Sequence, residues 1–233
     1  MKHKKHAPPL SDKRVARERE RFRANRESIL HAAEAVICRK GLSASSMNEI
    51  AAEAGFSKAT LYRYVRGKSE LVFELLLHFM EDLDVRLKSI VSGPQDPPAK
   101  LLAVLREVIR FQAEKENLSR VFVLDPSFLR VIRVVVVDQG KAVSKTEREF
   151  LLRLRDARQA VFADAASVLQ EGIAAGVFRS LDVETAVFYL GAVVQGYLHE
   201  KFWRESKPDL EKDVMNIHAL ILRGIETKPR GQA

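Results

Sequence analysis

The chain has 233 residues, 39 Lys+Arg against 31 Asp+Glu and 46% apolar residues, which suits one large or two modest globular domains and excludes a disordered or collagen-like chain. No uncharged apolar run approaches the ~20 residues needed to cross a bilayer. The longest candidate, VIRVVVV, is short and carries Arg133, so no membrane partner is expected. The opening stretch MKHKKHAPPLSDKRVARERERFR is positive but has no apolar segment behind it, and Cys38 is the only cysteine. The expectation is a cytoplasmic protein with neither a disulfide framework nor a Cys-based metal site.

The net charge of +8 is uneven: residues 1–26 hold ten basic and three acidic residues, a net +7, which leaves +1 for the remaining 207 residues. A basic, disordered arm beside a neutral body fits a polyanion partner, because Lys/Arg clusters release counterions from nucleic acid. A solubilising tail fits the same charge equally well.

Apolar residues recur at three- and four-residue steps after position 27, so the fold is expected to be all-α. Residues 27–40 set Ile29, Leu30, Ala33, Val36 and Ile37 on one stripe and stop at Gly41. Ser46 with Glu49 forms a capping box for a short second helix carrying Ile50, Ala51 and Ala54, and Gly55 suits a tight turn. Ser57 caps a third helix whose inward residues are Leu61 and Val65, leaving Lys58, Ala59, Tyr62, Arg63 and Arg66 outward. A fourth helix spans 68–91. The turn formers SGPQDPP at 92–98 end it and mark the expected boundary with the rest of the chain.

Beyond that boundary, amphipathic segments cover 99–115, 117–137 and 146–175, with a polar break DQGKAVSKT at 138–146. VIRVVVV reads as helix or buried connector, with a strand as the alternative. Two last helices fit 182–204, opened by Asp182, and 208–226, opened by Pro208. The expected domains are the arm 1–26, a helix-turn-helix unit 27–72 with connecting helix 68–91, a regulatory and dimerisation unit 93–226 and a tail 227–233.

Two short helices joined by a Gly turn, the second with a polar and basic outer face, form a helix-turn-helix. Side chains on that face reach base edges in the major groove, while backbone N–H groups and cations meet phosphates. Residues 58–68 hold Lys58, Arg63, Arg66 and Lys68 with no acid, interleaved with Tyr62 and Tyr64.

GLSASSMNEIAAEAGFSKATLYRYVRGKSELV, residues 41–72, resembles the DNA-binding signature of the TetR family of bacterial transcriptional regulators, and the match continues upstream through ILHAAEAVICRKG. Downstream the likeness is one of layout, with QEGIAAGVF at 170–178 and two terminal helices. The resemblance implies base readers at Asn48, Lys58, Ala59 and Arg63 and phosphate contacts at Ser46, Thr60, Tyr62, Tyr64 and Lys68. Ser45 and Ser46 stand where Thr is usual, Ala59 where Gly is frequent and Val65 where Phe is commoner. These departures keep capping and core hydrophobicity, so they bear on operator sequence rather than on DNA binding. The implied protein is a homodimer that binds a near-palindromic operator on double-stranded DNA, a repressor released by a small apolar or amphipathic ligand. A same-fold regulator without an effector is the runner-up, and a helical enzyme the alternative from another class.

The last two helices carry stripes suited to self-association. Val187, Leu190, Val194, Tyr197, Val214, Ile217 and Ile221 are the expected seam, although each stripe fits its own domain core as well. Among scattered aromatics, Phe111, Phe150 and Phe162 are the expected pocket lining. His199-Glu200 begins like a zinc-protease motif, but Trp203 occupies the second His position. No metal, cofactor or catalytic set is expected.

Overall fold

A computed structural model describes residues 10–128, 145–204 and 209–225, and VIRVVVV therefore lies outside the described residues. Among those described, the elements are α1 (Leu10–Lys40), α2 (Met47–Glu53), α3 (Lys58–Leu61), α4 (Lys68–Val91), α5 (Pro97–Glu114), α6 (Glu116–Leu124), α7 (Lys145–Ala174), α8 (Val183–Arg204) and α9 (Leu210–Ile225), with no extended strand. The all-α expectation holds. No described helix is long and apolar enough to cross a membrane.

The chain forms two compact units, residues 1–75 and 76–233. Their boundary falls within α4, so the SGPQDPP turn lies inside the second unit, where it joins α4 to α5, rather than between units. Its residues do end α4 as their turn chemistry requires, but a helix end need not be a domain end.

In the first unit, α1 ends where Gly41, at φ 80°, donates its N–H to the Ile37 carbonyl at 2.8 Å. Ile29, Ala33, Val36 and Ile37 are buried, and with Ile50, Ala51, Leu61, Val65, Leu71 and Val72 they make the apolar centre of this unit. Arg26 bridges α1 to α4, 2.9 Å from Glu70 and 3.3 Å from Glu74. Helix α1 begins at Leu10, so residues 10–26, expected as a disordered arm, are helical. Their sequence explains this: RVARERERFRANRES has no Gly or Pro, and its alternating charges sit three and four apart on a helix.

In the second unit, Asp96 caps α5 by accepting from Ala99 N–H at 2.8 Å, with Pro97 in the first turn where its missing N–H costs nothing. Helix α5 packs against α7 and α9, and α8 against α6 and α7. Buried Lys100 ties α5 to Glu171 of α7 at 2.8 Å, and Arg106 forks onto Glu211 of α9 through Nε and Nη2. The expected segment 117–137 is interrupted at Asp125, whose carboxylate accepts from Ser127 and Phe128 N–H groups. Asp209 caps α9 by accepting from Lys212 N–H at 3.2 Å; the expected opener, Pro208, lies outside the described residues.

The QEGIAAGVF segment has a packing reason. A Cβ on Gly172 would stand 2.0 Å from the Phe178 ring, which is 2% exposed. The missing side chain lets that ring lie on the α7 backbone. Gly176, at φ 71°, supplies the left-handed turn that brings it back. Arg179 then donates its N–H to Ile225 and its Nε to Gly224, satisfying carbonyls at the end of α9.

Candidate nucleic-acid interface

The helix-turn-helix is built from two caps and one turn. Ser46 accepts from Glu49 N–H while the Glu49 carboxylate accepts from Ser46 N–H at 3.0 Å, which makes the reciprocal capping box at the start of α2. Glu49 also contacts Lys40 of α1. That bond first, and the Ser46 hydroxyl second, hold the Glu49 carboxyl down to about 2. Gly55, at φ 72°, and the Phe56 N–H to Ala51 carbonyl bond at 2.8 Å reverse the chain. Ser57 then caps α3, accepting from Thr60 N–H at 3.1 Å and sharing a hydroxyl–hydroxyl bond with Thr60.

Helix α3 is short, but Arg63, Tyr64 and Val65 donate their N–H groups to Thr60 and Leu61 carbonyls, so helical turns persist beyond it. Leu61 and Val65 are buried as expected. That anchorage leaves Lys58, Ala59, Tyr62, Arg63 and Arg66 exposed on one side, with Thr60 half-buried. Asn48 and Ser46 are exposed on α2. A positive, acid-free ridge with small Ala59 in its midst allows close approach to a duplex.

Besides Ser46 and Thr60, which serve in the two caps, two more of the expected phosphate contacts have structural partners. Lys68 is half-buried and its ammonium donates to the Leu42 and Ser45 carbonyls at 2.7 and 2.8 Å. Two of its three donors thus hold the loop before α2. The Tyr64 hydroxyl accepts from Asn25 Nδ2 at 2.8 Å, and its ring lies 4.8 Å from Phe22 and 6.1 Å from Phe56. Neither α1 partner was singled out from sequence. The available signal was Phe22 standing seven residues before Ile29, on the same stripe.

The second unit departs from expectation at its last two helices. Val187 and Val214 are buried within their own unit, and Val194 and Tyr197 pack on Val123, Leu198 and Phe202. Tyr197 donates its hydroxyl to Asp213 at 2.9 Å; burial, then this bond, push its ionisation far up. These four therefore face their own core, whereas Leu190, Ile217 and Ile221 are half-buried. The exposed apolar residues are Phe188, Tyr189, Val193 and Trp203 of α8 and Met215 and Leu220 of α9. Spacing alone could not separate the two stripes, because both repeat every three to four residues.

The expected lining residues are dispersed. Phe111 is fully buried, 4.8 Å from the Phe79 ring and beneath the Arg86 guanidinium. Phe150 and Phe162 are half-buried on α7 under Arg153 and Arg158, and a Cβ added at Gly191 of α8 would stand 3.4 Å from the Phe162 ring. Phe79 continues the aromatic set through half-buried Phe122 to buried Phe128.

Comparison with known proteins agrees with this architecture. The family described as bacterial regulatory proteins, tetR family, matches residues 29–75, which span the helix-turn-helix and its scaffold. The HTH-type transcriptional repressor KstR2 of Mycolicibacterium smegmatis is 27% identical over 210 residues, covering 89% of this chain and 93% of its own. Among solved structures, FadR of Bacillus subtilis in complex with stearoyl-CoA superposes with a TM-score of 0.68 at 21% identity, covering 86% of this chain and 99% of that one. KstR2 of Mycobacterium tuberculosis does so with a TM-score of 0.62 at 22% identity, covering 87% of this chain and 95% of that one. With its capped helix pair and acid-free outer ridge, the first unit carries the DNA-binding domain of the TetR family of bacterial transcriptional regulators, and the helical second unit follows the fold of the regulators it resembles.

Proposed function

We propose that this regulator is a repressor that grips a near-palindromic operator as a homodimer and lets go when a small apolar or amphipathic ligand binds its second unit. The observation that carries the DNA reading is the exposed set Lys58, Ala59, Tyr62 and Arg63 held above buried Leu61 and Val65. Lys58 and Arg63 present donors to base edges; Ser46, Thr60, Tyr62, Tyr64 and Lys68 have polar atoms at the rim for phosphates. Asn48 on α2 adds one amide able to pair with a base.

The relatives named repressors support the sign of regulation. The stearoyl-CoA held by FadR of Bacillus subtilis supports a ligand with a long apolar part. The aromatic set Phe79, Phe111, Phe122 and Phe128 offers that part a lining of the right chemistry. Self-association through the exposed apolar face of α8 and α9 fits a second copy of the chain, because Phe188, Tyr189, Trp203, Met215 and Leu220 would otherwise stay in water.

Selecting bound sequences from a random duplex library tests the reading. A palindrome with half-sites about one DNA turn, ~34 Å, apart is the expected result. Arg63→Ala is expected to relax preference at one position per half-site by about 1–3 kcal/mol. Enrichment of no sequence, or equal loss on all sequences for Arg63→Ala, would overturn base reading by this ridge.

A further inference from the structure

Helix α1 runs well past the residues that bury it. Ile29 starts its core stripe, yet the helix reaches back to Leu10, and residues 14–23 are all exposed. An exposed helical extension of this length needs a reason, because little tertiary packing supports it.

The arrangement of its side chains supplies one. At 3.6 residues per turn, Arg14, Arg17, Arg21 and Asn25 share one face of α1. Asn25, the last of that row, is the residue that donates to the Tyr64 hydroxyl. One turn of chain away, Phe22 stacks its ring 4.8 Å from Tyr64 at a tilt of 37°. The extension is thus anchored on the turn that follows α3, and the side of α1 carrying three arginines is continuous with the side bonded to that turn. No ion pair joins Arg14, Arg17 or Arg21 to a carboxylate among the described residues.

We propose that the N-terminal extension of α1 is a second duplex-binding element, with Arg14, Arg17 and Arg21 meeting phosphates beyond the base pairs read by Lys58 and Arg63. The row from Arg14 to Arg21 spans roughly 10 Å of helix axis. A duplex offers about one phosphate per 3.4 Å on each strand, so three guanidinium groups at that spacing find separate partners. Arginine's planar fork suits phosphate oxygens in two-point contact. A lipid surface fits less well: of the two large apolar residues exposed along 14–23, Val15 and Phe22, the second already packs on Tyr64.

This inference rests on the DNA-binding reading above, and the experiment separates the two. The triple variant R14A/R17A/R21A keeps strong helix formers at all three positions, so thermal unfolding is expected to match the wild type. Its binding to the duplex selected by the wild-type protein is expected to fall, with the slope of log K against log salt shallower by about three units for each protomer engaged. Its ranking of operator over scrambled duplex is expected to stay unchanged. The charge-conserving triple R14K/R17K/R21K is expected to keep most of the slope. A wild-type slope in the alanine triple would overturn the proposal. So would an unchanged slope together with lost binding to phosphatidylserine vesicles, which would assign the row to a membrane surface. A wild-type protein that selects no sequence would instead sink base reading by α3, and the slope comparison on bulk duplex would still decide the role of the extension.

Discussion

The Lys68 ammonium lies 2.7 Å from the Leu42 carbonyl, so the first residue of α4 holds the loop from which α2 starts. The same ammonium donates to Ser45 O, and the Ser45 hydroxyl itself donates to Leu42 O. One carbonyl therefore gathers two donors at the corner of the helix-turn-helix. A lysine here serves folding, and in the proposed complex its third ammonium proton would be left for a phosphate.

This dual role predicts two losses from one substitution. Lys68→Ala removes two charge-assisted bonds at a half-buried site and is expected to cost about 1–2 kcal/mol in urea unfolding. It is also expected to weaken all duplexes alike, with a salt slope shallower by about one unit. Unchanged stability with weaker binding would leave only the phosphate role.

Glu49 makes the first unit acid-sensitive. Its carboxyl is held down to about 2 in the folded protein by Lys40 and Ser46. A carboxyl lowered on folding adds stability above its unfolded value and gives it up as pH falls through the folded one. The stability advantage of wild type over Glu49→Gln is therefore expected to be constant above about pH 5 and to vanish toward pH 2. A difference between the two proteins that persists at pH 2 would mean that packing, not the charge, separates them.

Gly172 and Phe178 should behave as one unit. A methyl group at 172 meets the ring at 2.0 Å, and the ring is buried, so relieving the clash means displacing a packed side chain. Gly172→Ala is expected to destabilise the protein by about 1–3 kcal/mol through overpacking. Combining it with Phe178→Leu is expected to cost less than the sum of the single changes, giving a coupling energy of at least about 0.5 kcal/mol in a double-mutant cycle. Additive losses would mean that the backbone shifts instead of the ring.

These cases show which parts of the molecule were legible from residues alone. Caps were: Ser46, Ser57 and Asp182 each accept the N–H three residues on, because a hydroxyl or carboxylate at that offset has little else to do. Burial of Leu61 and Val65 followed from four-residue spacing on a short helix with one apolar side. The extension of α1 was not legible, since alternating Arg and Glu read equally well as a solvated tail until Phe22 and Asn25 are seen on Tyr64. Lys68 read as a surface cation because its carbonyl partners sit more than twenty residues away in sequence. The stripes of α8 and α9 were legible only as helices. Both faces of α8 are apolar, so periodicity identified a helix and left open which face meets its own core.

That ambiguity becomes the test of self-association. Phe188 and Leu220 are 62% and 69% exposed, so an aspartate at either position costs the isolated protomer little. In a dimer that buries them, each carboxylate would be desolvated without a partner, at several kcal/mol. Phe188→Asp with Leu220→Asp is therefore expected to yield folded monomers in sedimentation, with thermal unfolding still cooperative. Operator affinity is expected to fall by roughly 10²-fold or more, because each monomer keeps one helix-turn-helix but loses the avidity of two. Val214→Asp is the contrasting variant: Val214 is 1% exposed within its own unit, and a charge there is expected to unfold that unit rather than split a pair. A folded dimer that survives both exposed aspartates would place the interface on another surface, and operator binding at native strength would go with it.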